Sequence, residues 1–533
     1  MPHLNPAIRK RGRAPVVGQR DDSHITIRER NGLSGGEEGF IPSNAPKMWL
    51  SRQSALGWMR QFEPDTYGKL RTKVPPEGLH SHIYAAAKGI VQRLNKEQRT
   101  PAPEAEPVPA AEQQPATVDL SDKTAIVYDR GGLYLYCAEK LAEKYKTVFY
   151  YLADSDAYPT SQKATIGMGL PGIKRIHDFW KHLDEADIVY FWDCYDGELQ
   201  HWLRSKGYKV FGSGRGEQVE IDKIRFLELL DELKLPKAET YIAKGLTDLH
   251  DYLEKHDGQT LYLKNLHRGD FESRKFTSIA QSRPFLDDLR KRLGSASDTL
   301  DVLVQHKIDA DCEAGYDGYC VDGEFTGNCI VGYELKDKGL VAKIFEEPPE
   351  VVKSINDAFG PTLKKLGYNG NYSTEIRITK DGKPYYIDPT CRVPSPPGEL
   401  MCEMYENWAE VTYQVACGQL PILEPKAVYG TEIILTSDWH NHHELHVAFP
   451  KAIRQHVKLK NHTLRDGEYY CIPNGNGGFF GAVVAWADTL DEAIEMVLSY
   501  AKQIEADELE YDEGLFDDAK KQIEAGERHG IVY

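Results

Sequence analysis

The chain has 533 residues, of which 41% are hydrophobic, and a formal charge of −17. That is enough apolar content for several cores, yet no run of about 18 apolar residues occurs, which excludes a membrane-spanning helix on sequence grounds. The charge is uneven: residues 1–100 hold 17 Lys and Arg against 9 Asp and Glu, so the remainder carries −25, and a basic head reads as a module apart from an acidic body.

The opening MPHLNPAIRKRGRAP is basic but has no apolar h-region, so it does not read as a secretory leader. Nine dispersed cysteines without a CxxC pair suggest reduced thiols and a cytoplasmic setting. Residues 1–45 are rich in Gly, Pro and Arg and are expected to be mobile. Short helices are expected at 48–61 and 80–94, so residues 1–99 form a basic N-terminal extension whose partner could be a nucleic acid or a protein. Residues 100–117, TPAPEAEPVPAAEQQPAT, form an extended Pro/Ala/Glu linker.

In the body, strands at 124–128, 147–153, 188–192 and 209–212 alternate with helices at 133–145 and 197–206, the pattern of a doubly wound parallel sheet. The turn Asp129-Arg130-Gly131-Gly132 lies where such sheets bind ligands, although it is not a GxGxxG fingerprint. An amphipathic helix at 217–233 carries Lys223. A strand at 260–263 delivers Lys264 to the basic loop 265–277, which holds His267, Arg268, Arg274 and Lys275 and suits phosphate. A strand at 302–306, a hairpin at 316–325, a strand at 329–335 and helices at 349–366 and 399–417 follow. Residues 425–533 add β-type runs, a helix at 489–504 with a capping box at Thr489 and Glu492, and an acidic tail, about 505–533, expected to be a helix with a frayed end. The fold class is therefore α/β followed by α+β.

The most chemically loaded stretch is 372–397, YSTEIRITKDGKPYYIDPTCRVPSPP. Two alternating runs flank Asp381-Gly382, a hairpin signal, and with that turn Glu375 faces Asp388 across the strands. Like charges in that position repel, so a cation belongs between them, and oxygen-ligated Mg²⁺ fits two carboxylates plus phosphate oxygens. Arg392 follows four residues later, a planar donor suited to phosphate or an acyl phosphate. A solvated surface hairpin is the plainer alternative. The segment SDWHNHHELH would put His442 and His446 in ligand range on a helical turn, with His440 and His443 beside them, as a transition-metal site. A solvated loop or a substrate contact is the other reading of that segment.

This order of parts resembles the ATP-grasp superfamily, in its glycinamide ribonucleotide synthetase and biotin carboxylase branch, from about residue 124 to 504. The resemblance implies a pre-ATP-grasp domain at 118–215, a two-lobed ATP-grasp core at 216–424 with its small lobe at about 240–310, and a β/α cap with the tail at 425–533. GAVVAWADTLDEAIEMVLSYAKQI is similar to the closing segment of those enzymes. It implies ATP with Mg²⁺ (or Mn²⁺) as cofactors, and Lys223 and Lys264 as the phosphate-binding lysines. Arg268 falls in the loop over the phosphates, Gln305 with Lys307 and Ile308 at the adenine hinge, and Glu313 at the ribose. Glu375, Asp388 and Thr390 fall at the metal positions, and Arg392, with Lys264, at the catalytic ones. Gln305 replaces the usual hinge acid, Thr390 replaces the usual Asn, the phosphate loop is poor in glycine, and phosphoribosyl-recognition motifs are absent. The implied activity is ligation of a small-molecule carboxylate to an amine or thiol through an acyl phosphate, with substrate contacts from the 129–132 turn and the 392–399 and 475–481 loops. A homodimer is the candidate assembly. The alternative is a nucleotide-binding or scaffold protein on a degenerate ATP-grasp fold, with the basic extension as its working part.

Overall fold

The computed structural model describes residues 118–156, 162–265, 273–473 and 477–533, together with a two-residue antiparallel strand pair, Ile25–Thr26 with Ile41–Pro42. Contacts divide the chain into residues 1–113 and 114–533. The helices expected at 48–61 and 80–94, the 100–117 linker and Arg268 lie outside the described residues.

The body begins with a five-stranded parallel sheet in the order Ile173–Ile176, Thr147–Leu152, Thr124–Asp129, Ile188–Phe191, Val210–Phe211. Ala125, Ile126 and Val127 are all fully buried, as expected of a central strand covered on both faces. The strand order reverses beside Thr124–Asp129, which opens a crevice at its carboxyl end. There the Asp129 carboxylate accepts the N–H groups of Gly131, Gly132 and Tyr134 at 3.1, 2.9 and 3.1 Å and so shapes the turn. Gly132 needs its missing side chain, because its φ is +82°. The edge strand Ile173–Ile176 was not among the four expected; its sequence, IKRI, sets two adjacent charges between isoleucines and is too short to show a period.

A second, antiparallel sheet orders Arg274–Phe276, Leu261–Asn265, Asp301–His306 and Thr240–Lys244. Helices Gly245–Lys255 and Ile279–Leu293 cover it through a core of Leu249, Leu253, Leu263, Phe276, Leu289 and Val304.

The largest sheet is antiparallel throughout: Pro384–Thr390, Asn369–Thr379, Ala310–Val321, Cys329–Leu335, Gly339–Phe345, Tyr429–Ser437, Phe479–Ala487 and Val457–Leu459. Strand Tyr429–Ser437 pairs with Gly339–Phe345, so residues after 425 extend this sheet. Between it and the parallel sheet lie helices Gly398–Met404 and Trp408–Ala416, and all seven residues of the first are buried. The single helix expected at 399–417 breaks where Tyr405 bridges to Pro425. Thr489 caps the helix Leu490–Ala501 by accepting the Glu492 N–H, as expected, while the Glu492 carboxylate accepts the Thr489 hydroxyl at 2.9 Å.

The acidic tail is helical as expected, but its end is not frayed. Helix Leu515–Glu527 packs on the large sheet, Ile531 is fully buried, and the Tyr533 hydroxyl donates to the Val331 carbonyl at 2.5 Å. Its apolar face, led by Leu515, Phe516, Ala519 and Ile523, is what the net charge of the segment concealed.

Candidate functional site

The hairpin places Glu375 directly opposite Asp388, as the sequence predicts, by a route the sequence did not predict. Near the tip the pairs are Ile378 with Pro384, Arg377 with Tyr385 and Ile376 with Tyr386, one residue out of the expected register. The connection is therefore three residues, Lys380-Asp381-Gly382, with Gly382 at φ +79°. A β-bulge at Ile387 restores the expected pairing from Glu375 onward.

Both sequence-selected lysines reach Asp388. The helix expected at 217–233 breaks at Asp222, which caps Lys223–Glu232 by accepting the Arg225 N–H at 3.0 Å. Lys223 thus opens a helix, where the backbone dipole also favours anions. Its Nζ donates to Asp388 Oδ1 at 2.5 Å, and Lys264 Nζ, from strand Leu261–Asn265, donates to Asp388 Oδ2 at 2.6 Å. Burial works to raise the Asp388 carboxyl, but the two ammonium groups outweigh it and hold it well below the usual carboxylate range. Glu375 goes the other way: burial first, then the charge of Asp388, push its carboxyl well above normal. One strand pair thus presents two acids with opposite protonation tendencies, 26% of the Asp388 side chain being exposed.

Around them, Glu313 accepts from Arg377 Nε at 2.6 Å, and that guanidinium lies 5.7 Å from the Tyr262 ring of the smaller antiparallel sheet. Gln305 is the penultimate residue of strand Asp301–His306, and the Lys307 N–H donates to the Thr260 carbonyl at 3.2 Å. Thr390 pairs with Ser373, two residues past Asp388 on the same face.

Arg392 is held by residues that sequence reading did not select. Its Nε donates to Glu220 Oε1 at 2.8 Å and its Nη1 to the Tyr134 hydroxyl at 3.2 Å, while Glu220 Oε2 accepts the Cys391 N–H at 2.6 Å. Tyr134 follows the Gly131-Gly132 turn, so Arg392 ties that turn to the hairpin. Lys460 and Asn461 complete the connection. Lys460 Nζ lies 2.7 Å from Glu399 Oε1 and donates to Ser395 Oγ at 2.5 Å, while the Asn461 N–H and Nδ2 donate to the carbonyls of Gly132 and Gly131. The 129–132 and 392–399 segments are therefore brought together; of the 475–481 loop, residues 475 and 476 are outside the described ones. Glu220 had one sequence signal, its place three residues before Lys223; Tyr134 and Lys460 had none.

The histidine segment does not form the helical turn on which its metal reading depended. It forms a short turn, Trp439–Asn441, and strand Leu445–Ala448, not a helix that would align His442 with His446. His446 pairs with Glu468 at 3.0 Å, His443 stacks on Trp439, and among the described residues no three His, Cys, Asp or Glu converge on a metal position. No helix among the described residues is long and apolar enough to cross a membrane.

No protein-family model matches the chain, and no curated protein does so by sequence. Solved structures do match. Phosphoribosylamine–glycine ligase of Thermotoga maritima aligns with a TM-score of 0.56 at 15% identity, over 73% of this chain and 99% of that one. The biotin carboxylase domain of Hydrogenobacter thermophilus 2-oxoglutarate carboxylase, solved with Mg–ADP, ADP and bicarbonate, aligns with a TM-score of 0.54 at 13% identity, over 77% and 99%. Campylobacter jejuni biotin carboxylase gives 0.54 at 13%, over 75% and 99%.

Proposed function

We propose, from the ATP-grasp fold that the chain shares with these structures, that it is an ATP- and Mg²⁺-dependent ligase joining a carboxylate to an amine (or thiol) through an acyl phosphate. The observation that carries this reading is Asp388 gripped by Lys223 and Lys264 with Glu375 opposite. Two ammonium groups sharing one carboxylate suit an exchange of partners. Phosphate oxygens of ATP would draw Lys223 and Lys264 onto themselves, and the freed Asp388 with Glu375 would then hold the cation. Mg²⁺ held by these residues would supply charge neutralisation on the transferring phosphoryl group.

The chain's own residues do the rest by position and charge. Lys223 and Lys264 hold the phosphates, and Arg268 is a further phosphate contact by its place in the sequence after Lys264. Gln305, Lys307 and Ile308 flank adenine, and Glu313 meets the ribose. Thr390 adds an oxygen beside Asp388. Arg392, kept in place by Glu220 and Tyr134, faces the carboxylate as it becomes an acyl phosphate. Little covalent chemistry is asked of the protein, since orientation and preorganised charge dominate such transfers.

The test is calorimetry of the full chain with Mg–ATP, followed by ADP release screened against pooled carboxylates and amines with mass spectrometry of the product. Mg-dependent nucleotide binding and one pool-dependent product are expected. Absence of nucleotide binding would instead leave a scaffold on this fold.

A further inference from the structure

Beside Glu375 a cavity of about 60 Å³ sits on the largest sheet. Its floor is made by two strand-interior glycines, Gly315 and Gly332, which are paired with each other across the strands. Neither has a positive φ, so the backbone does not demand glycine there. A glycine inside a strand commonly marks the close approach of a ligand. Four carboxylates line the cavity, Glu313, Asp317, Glu334 and Glu375, with no Lys, Arg or His among its walls, and prolines of the 394–397 segment roof it.

The Asp317 side chain decides what the cavity is for. The residue is 6% exposed. Its Oδ1 accepts the Ser373 hydroxyl at 2.5 Å, whereas Oδ2 has no donor among the described residues. That second oxygen is the nearest atom, at 3.8 Å, to the space a Gly315 side chain would occupy, so it points over the cavity floor. We propose that this cavity receives the ammonium group of the amine substrate, with Asp317 Oδ2 as its principal acceptor, an assignment that rests on the ligase reading above. The cavity has room for a group of ammonium size, since one water needs roughly 10–15 Å³ on the same measure and the cavity offers about 60 Å³. A metal ion is disfavoured because no three acids converge closely enough to hold one among the described residues. An anion is disfavoured by the walls. Burial raises the Asp317 carboxyl to about 7, the direction expected of an acid with no cation beside it. Glu375 belongs both to this wall and to the hairpin pair, so the amine would wait next to the phosphoryl end of the site.

The probe is methylammonium chloride, added to the full chain with Mg–ADP and read by saturation transfer from protein protons to the probe's methyl group. Saturable binding is expected, weakened at least tenfold in Asp317→Asn and in Gly315→Ala. The second variant keeps the fold, because its added methyl meets nothing nearer than 3.8 Å, while it fills the floor. Lack of binding to the unaltered chain, or equal binding to both variants, overturns the proposal. Displacement of the probe by excess Mg²⁺ also overturns it, by making the cavity a metal site. Mg–ATP affinity measured on the same samples separates the two readings: nucleotide binding without probe binding sinks this inference alone. Probe binding without nucleotide binding sinks the ligase reading, and with it the cation's identity as a substrate.

Discussion

Asp388 and Glu403 are each gripped by lysines, and the contrast between them separates a working ion cluster from a structural one. Glu403 lies on the buried helix Gly398–Met404, is 1% exposed, and meets Lys458 at 2.6 Å, Lys140 at 3.0 Å and Lys426 at 3.6 Å. Burial works against its charge, but the lysines win and hold the carboxyl at about 2. Its partners come from three separate parts of the body, so it acts as a bolt. Asp388 has the same chemistry with two differences: it is a quarter exposed, and a second acid, Glu375, stands opposite with its carboxyl pushed up. A cluster that only holds the fold has no use for an opposed acid that its own charges disfavour.

The largest expected effect tests the bolt. Glu403→Ala should lower stability by about 3–5 kcal/mol, because it leaves the buried Lys458 without its carboxylate. Urea unfolding checks this, and nucleotide affinity per folded molecule should be unchanged. Asp388→Asn should do the reverse. Turnover should fall about 10²–10³-fold, in the range seen when one preorganised charge partner is removed, while the urea midpoint falls less than in Glu403→Ala, because Asp388 is a quarter exposed. If both variants unfold alike, the contrast fails.

The third expectation concerns pH, and its sign differs between two buried acids. Glu403, held at about 2, contributes stability that is complete above its unfolded value near 4.5 and is lost as pH falls toward 2. Asp317, raised from 3.8 to about 7, binds a proton more readily folded than unfolded, so it costs stability as pH rises from about 4 to 7. Asp317→Asn should therefore flatten the decline of urea stability between pH 4 and 7. It should not abolish that decline, since Glu217, also raised to about 7, acts in the same window. The smallest effect is that of Glu375→Gln, which relieves repulsion at the hairpin. It should stabilise the nucleotide-free chain by about 1 kcal/mol while weakening the Mg²⁺ dependence of nucleotide binding.

How much of this could be read from residues alone follows a physical divide. Lys223, Lys264, Glu375, Asp388 and Arg392 sit in local patterns, a helix start, a strand end and a hairpin, that survive without coordinates. Tyr134 meets Arg392 across 258 positions of chain, and Lys460 meets Ser395 across 65; no local period encodes such pairings. Asp317 was invisible for a different reason. It lies inside a strand whose alternation marks a face, and only the neighbouring Gly332 turns that face into a cavity. The end of the tail misled because the acids around it hid an apolar stripe.

The bulge at Ile387 has an evolutionary corollary. It uncouples the tip of the hairpin from its base, as a slip joint separates two lengths of pipe. A residue gained or lost around Lys380-Asp381-Gly382 can be absorbed between Ile376 and Ile387 before the change reaches Glu375 and Asp388. Length variation at that tip should therefore be tolerated far more readily than any insertion between Asp388 and Arg392, where no such joint exists.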